Sequence, residues 1–343
     1  MAVRVLVAED SATARALLLH ILGADPDVRI VGMAHNGEDA VALTATLRPD
    51  VITMDVRMPG IDGFEATRRI MAQTPTPIVI ISGHYERKDV DASMNALRAG
   101  ALTILPKPSG PDSADFADQS AWLLRTVKAM AEVKVVRHRL EQPLARPAAP
   151  PVTAATQRAR IVTVAASTGG PAALARILTQ LSSPFPLPLL VVQHIAAGFA
   201  EGLARWLNGV SALPVRVAGE RETLRPSTVY VAPDDRHLSV LDDRTITVLH
   251  SPAVNGFRPS GSVLFQSAAQ VFGAGTVAVI LTGMGDDGLS GLRAVRAAGG
   301  CIIAQDEASS VVFGMPGAAV EAGLTDVILP VASIAARLEE LTA

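Results

Sequence analysis

Short runs of β-branched and aliphatic residues alternate with amphipathic stretches along most of this chain, and that alternation narrows the possible folds more than anything else in it. The runs at residues 3–8, 28–34, 51–54, 78–81 and 102–105 are too short for helices and predominantly apolar. Between them, residues 12–22, 37–47, 63–73 and 90–99 space their apolar side chains as helices do. Strands buried on both faces and separated by helices are accommodated by a parallel sheet with helices on either side. Residues 1–140 therefore predict a doubly wound α/β domain of five strands, closed by a last helix over 116–140. The pattern then breaks. Residues 141–157 hold Pro143, Pro147, Pro150 and Pro151 among alanines, without apolar periodicity, and read as a semi-extended tether. The alternation resumes at residue 158 and predicts a second doubly wound, mostly parallel α/β domain over 158–343.

Charge and cysteine content limit what such a chain can do. The net charge is −3, and neither half is basic: residues 1–150 carry 17 Lys and Arg against 18 Asp and Glu, and the remainder 13 against 15. That argues against nucleic acid as a partner. The single cysteine, Cys301, excludes an internal disulfide and fits a reducing, cytoplasmic setting. No apolar run reaches the ~18 residues of a membrane span, and the N-terminal run is too short for a secretion signal.

In doubly wound sheets ligands bind at the carboxyl ends of the strands. In the first domain those ends carry Glu9, Asp10, Asp55, Ser82 and Lys107. Clustered carboxylates repel one another unless a hard cation such as Mg²⁺ lies among them. One carboxylate can attack phosphorus to give an aspartyl phosphate, with the hydroxyl and the ammonium receiving the phosphoryl oxygens. Five such residues at one edge point to a phospho-acceptor site; singly, Asp10 and Ser11 would read as helix caps.

The second domain brings different chemistry to its strand ends. The run at 161–166 leads into Ser167-Thr168-Gly169-Gly170-Pro171, a sharp strand-to-helix corner. Ala165-x-Ser167-x-Gly169 is one residue away from the nucleophile elbow G-x-S-x-G. Such a corner also suits phosphate binding or close helix packing. His194 ends the run 189–193, and Asp287 follows the run 277–282 within Gly283-Met284-Gly285-Asp286-Asp287-Gly288. A serine hydroxyl needs a neutral imidazole to take its proton, and the imidazole needs a carboxylate to hold its tautomer. Both glycine-rich turns offer backbone N–H groups for an oxyanion. The order Ser, His, Asp differs from that of α/β-hydrolases. His237 and His250 end no strong apolar run beside such a turn and read as ordinary hydrogen-bonded residues.

Two resemblances accompany these readings. Val7-Ala8-Glu9-Asp10-Ser11, the stretch from Met54-Asp55 through Met58-Pro59-Gly60 to Asp62-Gly63, and Lys107-Pro108 resemble the receiver domains of bacterial response regulators. This implies a flavodoxin-like fold, Asp55 as phospho-acceptor, Glu9 and Asp10 joining Asp55 around Mg²⁺, Ser82 and Lys107 as switch residues, and a chemotaxis histidine kinase as phosphodonor. Ile104 stands where many receivers carry an aromatic switch residue. Ser167-Thr168-Gly169-Gly170, Gln193-His194, Val231-Ala232-Pro233, Leu281 through Gly288, Gln305-Asp306-Glu307 and Phe313-Gly314-Met315-Pro316 resemble the catalytic domain of chemotaxis protein-glutamate methylesterases. This implies hydrolysis of glutamate γ-methyl esters on methyl-accepting chemoreceptors, with glutamine deamidation in many members. It implies Ser167 as nucleophile, His194 as base, Asp287 as orienting acid, the Met284 N–H as oxyanion donor, no cofactor for the hydrolase, and an unphosphorylated receiver that covers the catalytic edge. The chain departs from that family at Ala165, in place of a glycine, and at Gly261-Ser262, where Val-Asp is frequent.

Two other classes of function compete. A phosphorylation-controlled DNA-binding regulator would need a basic second half and a compact helix-turn-helix, and neither is present. A non-catalytic adaptor on a decayed hydrolase fold is opposed by the intact Ser167, His194 and Asp287.

Overall fold

The computed structural model describes residues 2–83, 87–133, 135 and 159–342. The chain divides into two compact units, Met1–Pro143 and Leu144–Ala343. The tether expected at 141–157 lies outside the described residues.

The first unit runs β1 (Val3–Ala8), α1 (Ala12–Gly23), β2 (Val28–Ala34), α2 (Gly37–Leu47), β3 (Val51–Asp55), α3 (Gly63–Gln73), β4 (Ile78–Ser82), α4 (Arg87–Arg98), β5 (Thr103–Pro106) and α5 (Phe116–Ala131). Its sheet has the order β2-β1-β3-β4-β5, every pair parallel. All residues of β3 and β4 are buried, as expected of strands covered on both faces. Ser11, Asn36 and Asp62 start α1, α2 and α3 by accepting the N–H groups of Ala14, Asp39 and Glu65. The order of strands reverses between β1 and β3, and their carboxyl ends deliver Glu9, Asp10 and Asp55 to one crevice. One expectation is corrected: the last helix stops at Ala131, well short of 140. The N–H groups of Glu132 and Val133 turn back to Ala129 and Met130, and the β-branched Val133 and Val135 give little support to further helix.

The second unit runs β6 (Ile161–Ala166), α6 (Gly170–Leu178), β7 (Leu189–Gln193), α7 (Ala200–Val210), β8 (Val215–Val217), β9 (Glu222–Thr223), β10 (Val229–Val231), β11 (His237–Asp242), β12 (Thr245–Leu249), α8 (Gly261–Phe272), β13 (Thr276–Ile280), α9 (Leu289–Ala297), β14 (Cys301–Gln305), α10 (Met315–Glu321), β15 (Val327–Leu329) and α11 (Val331–Glu340). Seven strands form one parallel sheet, β15-β14-β13-β6-β7-β10-β8. Its reversal lies between β6 and β13, so the crevice opens where Ser167 and the Gly283 turn begin.

A second, antiparallel sheet of order β11-β12-β9 departs from the strand–helix alternation. Helix α8 lies between the two sheets. Leu264, Ala268 and Phe272 of α8 join Ile161, Leu190, Val192 and Tyr230 of the large sheet and Leu238, Val240 and Ile246 of the small one in one buried cluster. The start of α8 is thereby fixed beside the carboxyl end of β6, where a Cβ on Gly261 would lie 2.6 Å from that of Ala165.

Candidate functional site

In the second unit the corner after β6 is held by backbone bonds. The Ser167 N–H donates to the Thr282 carbonyl at 3.0 Å, and the Gly170 N–H donates to the Ser167 carbonyl at 2.8 Å. Gly169 has φ +78°, and a Cβ there would lie 2.6 Å from the Val311 side chain, so this turn requires glycine. The Gln193 amide donates to the carbonyls of Ser167 (2.7 Å) and His194 (2.8 Å), tying the two loops together.

The Gly283-Met284-Gly285 turn is pinned from the other side. Gly314 and Met315 donate their N–H groups to the Gly283 carbonyl, and Gly283 donates to Val312. A Cβ on Gly283 would lie 2.6 Å from that of Ser167 and would strike the Met315 sulfur, so glycine lets this turn approach the serine. The Met284 N–H makes no hydrogen bond among the described residues. Gln305 secures the base of the turn through the Thr282 N–H at 2.9 Å.

His194 and Asp287 are joined: Nε2 lies 2.8 Å from Oδ2. Asp287 is 1 % exposed, whereas Asp286 faces solvent. Burial alone would raise the Asp287 carboxyl. The hydrogen bond and charge attraction of His194, with hydrogen bonds from the Ser260 hydroxyl and the Gly261 N–H, outweigh burial and bring it down to about 2. Those bonds measure 2.7 Å from Ser260 Oγ and 2.6 Å from Gly261 N, and the Ser262 N–H adds a third at 3.3 Å. With the ionised carboxylate on Nε2, the network assigns the proton to Nε2 and leaves the lone pair on Nδ1. Nδ1 is buried and has no hydrogen-bond partner among the described residues. His194 and Asp287 are thus joined as a base and an orienting acid would be, and the Ser167 hydroxyl makes no hydrogen bond to the ring among the described residues.

Several residues around this constellation carry no simple sequence signal. Ser260 is fully buried; it donates to Asp287 and also caps α8. His237, read above as an ordinary hydrogen-bonded residue, is fully buried with both nitrogens engaged: Nδ1 accepts the Ser260 N–H at 3.1 Å and Nε2 donates to the Pro252 carbonyl at 3.0 Å. Phe257 lies against the ring of His194. The dipeptide Asn255-Gly256, a strong hairpin signal between Val254 and Phe257, was the one available pointer to that loop. The two departures Ala165 and Gly261 also meet, since a Cβ on Gly261 would stand 2.6 Å from that of Ala165.

In the first unit, one ligand atom each from Glu9, Asp10 and Asp55 lies within 4.8 Å of the others. Glu9 and Asp55 are buried and Asp10 is exposed. The Lys107 ammonium bridges the two buried carboxylates, 2.9 Å from Glu9 Oε1 and 2.9 Å from Asp55 Oδ2. Burial and the Asp55 charge raise the Glu9 carboxyl despite Lys107. Burial also works against the Lys107 charge, yet Asp55 and Glu9 more than offset it and push the ammonium up. A carboxylate set that already draws in an ammonium fits a hard divalent cation. Ser82 is buried at the end of β4, where its carbonyl accepts the Lys107 N–H at 2.9 Å. All nine residues expected from the sequence thus lie at the two strand-end crevices. No helix among the described residues is long and apolar enough to cross a membrane.

Each unit matches a known protein family. Residues 162–338 match the family model described as CheB methylesterase, and residues 5–115 match the response regulator receiver domain. The chain is 54 % identical over 338 residues to a protein-glutamate methylesterase/protein-glutamine glutaminase of Myxococcus xanthus, covering 98 % of this chain and 96 % of the relative. It is 56 % identical over 339 residues to one of Anaeromyxobacter dehalogenans, covering 98 % of each. The crystal structure of the Thermotoga maritima CheB methylesterase catalytic domain aligns with a TM-score of 0.52 at 40 % identity, covering 53 % of this chain and 98 % of that one.

Proposed function

Because the chain belongs to the CheB family of receiver-linked protein-glutamate methylesterases, we propose that Ser167, His194 and Asp287 carry the hydrolysis and that Asp55 carries its control. The observation that most supports this is the 2.8 Å bond between His194 and Asp287, residues 93 apart in sequence, beside the corner that presents Ser167. In this reading Ser167 Oγ attacks the γ-carbonyl carbon of a methylated receptor glutamate as its proton passes to His194 Nδ1. The oxyanion of the tetrahedral intermediate is received by the Met284 N–H. The C–O bond to the methoxy group then breaks, and Nδ1 returns the proton to the leaving methanol. A water molecule repeats the sequence on the acyl-enzyme and frees the glutamate carboxylate and Ser167. A receptor glutamine enters the same way and releases ammonia. Asp287 holds the proton on Nε2 and stabilises the imidazolium throughout.

On the receiver, Glu9, Asp10 and Asp55 would hold Mg²⁺. When bound, the ion screens the negative charge between the Asp55 carboxylate and an incoming phosphoryl group. Asp55 attacks phosphorus as the bond from phosphorus to the kinase histidine nitrogen breaks and the imidazole leaves, Lys107 moves from bridging two carboxylates to a phosphoryl oxygen, and Ser82 donates to another. A chemotaxis histidine kinase supplies the phosphoryl group, the reaction takes place in the cytoplasm, and residues 141–157 tether the two domains. Asp287→Asn should lower kcat by about 10²–10⁴-fold while Asp286→Asn stays near the parent. Methanol release from methylated receptor measures both, and the opposite ranking would move the orienting role to Asp286.

A further inference from the structure

Beside the base lies an aromatic ring that the mechanism above does not use. The Phe257 and His194 rings stack with centroids 4.4 Å apart and planes 14° from parallel. Phe257 is half-buried, and its ring edge also approaches the Gly283-Met284-Gly285 turn: a Cβ on Gly285 would meet Phe257 Cζ at 3.8 Å. The ring thus covers one face of the imidazole next to the proposed oxyanion donor.

The backbone that carries Phe257 is preset from both sides. Val254 and Phe257 exchange both backbone hydrogen bonds, 3.0 and 2.9 Å, across the two-residue turn Asn255-Gly256. Asn255 has φ +50° and Gly256 φ +84°, the paired positive values that an Asn-Gly hairpin turn adopts readily. On the other side Arg258 Nε donates to Asp235 Oδ1 at 2.7 Å, and its guanidinium also reaches the Ser251 carbonyl. Neither restraint touches Ser167, His194 or Asp287. A hydrophobic side chain needs no such framework merely to cover a surface.

We propose that Phe257 is a positioning residue for the hydrolysis, fixing the plane of the His194 ring and favouring the imidazolium that forms when Ser167 attacks. The face of an aromatic ring is electronegative and attracts a cation within ~6 Å of its centroid. Neutral imidazole gains less from that face than imidazolium does. The stack is therefore stronger in the transition state than in the resting enzyme, and only such a difference raises kcat. Asp287 serves the charged ring at its edge, through Nε2, and Phe257 serves it at its face.

This inference rests on the proposed roles of Ser167 and His194, so the test begins with the phosphodonor-activated full chain and its Ser167→Ala variant. If the parent releases no methanol, or the variant is as active, that reading fails before Phe257 is addressed. Given an active parent, Phe257→Leu keeps apolar bulk but removes the ring. It should lower kcat by about 2- to 30-fold, the range spanned by cation–π contacts, with KM nearly unchanged. Phe257→Tyr should return most of the rate. Gly256→Val, which strains the turn and contacts no proposed catalytic side chain, should lower kcat in the same direction. The decisive measurement replaces Phe257 with phenylalanine bearing successively more ring fluorines, which drains the ring face of charge at little change in size. A stepwise fall of kcat with fluorine number is expected. A flat series, a loss confined to KM, or a Tyr variant no better than Leu would overturn the proposal.

Discussion

Ala165 and Gly261 offer a quantitative check on how the catalytic edge is assembled. Gly261 opens α8 and faces Ala165 of β6; a Cβ there would sit 2.6 Å from the Ala165 Cβ and 3.5 Å from Asp287 Oδ2. Carbon atoms in contact prefer about 3.5–4.0 Å, so Gly261→Ala forces strand and helix apart by roughly 1 Å. Overpacking of that size costs about 1–3 kcal/mol, against at most ~1 kcal/mol recovered from helix propensity. Ala165→Gly alone deletes a buried methyl and loosens a strand, at about 1–2 kcal/mol. Together the two changes move one methyl across the interface, so the double variant should be more stable than the sum of the singles by about 1–3 kcal/mol. Urea unfolding in a Trp122→Phe background, where Trp206 alone reports on the catalytic unit, measures each corner of the cycle. The Gly261 N–H also donates to Asp287 at 2.6 Å. The kcat of Gly261→Ala should therefore fall with its stability and recover in the double variant. Additivity within about 0.5 kcal/mol would refute the direct packing of these residues.

The Asp287 carboxyl is held at about 2, below its ordinary 3.8. The resulting stability, about 2 kcal/mol, is fully present above pH ~4 and lost as pH falls through about 2. Acid unfolding of Asp287→Asn, monitored at Trp206, should lack that increment, and an unchanged acid limb would contradict the assigned network. For the receiver, a small phosphodonor with Mg²⁺ should raise methanol release by the full chain, Asp55→Ala should abolish that response at an intact basal rate, and a fragment beginning at residue 155 should be active without phosphodonor. If the fragment's kcat/KM does not exceed that of the unphosphorylated chain, the receiver acts by delivering the enzyme to its substrate rather than by covering Ser167.

That Ser167, His194 and Asp287 lie at one edge was legible because each follows a buried strand of a parallel sheet, and topology gathers such ends there. The same logic exposed Glu9, Asp10, Asp55, Ser82 and Lys107. The placement of Ser260 on Asp287 and of Phe257 on the His194 ring, and the partners of His237, were not legible. These residues come from the small antiparallel sheet and the loop into α8, where no strand–helix period marks which side chains turn inward. Nor does sequence say which imidazole nitrogen meets the carboxylate. That depends on the Gly261 and Ser260 donors that aim Asp287 at Nε2. The overlong last helix had a local cause: apolar content continues past Ala131, but as β-branched residues that support helix weakly.

The claim that Ser167 is the nucleophile is tested most directly by methanol release from methylated receptor, catalysed by the phosphodonor-activated full chain and by its Ser167→Ala variant. The serine side chain is small and its corner is held by backbone bonds and the Gln193 amide, so the variant should unfold at the same urea concentration as the parent. Its kcat should fall by about 10⁴-fold or more. A folded variant within about tenfold of the parent would contradict this assignment, because hydrolysis would then proceed without attack by the Ser167 hydroxyl.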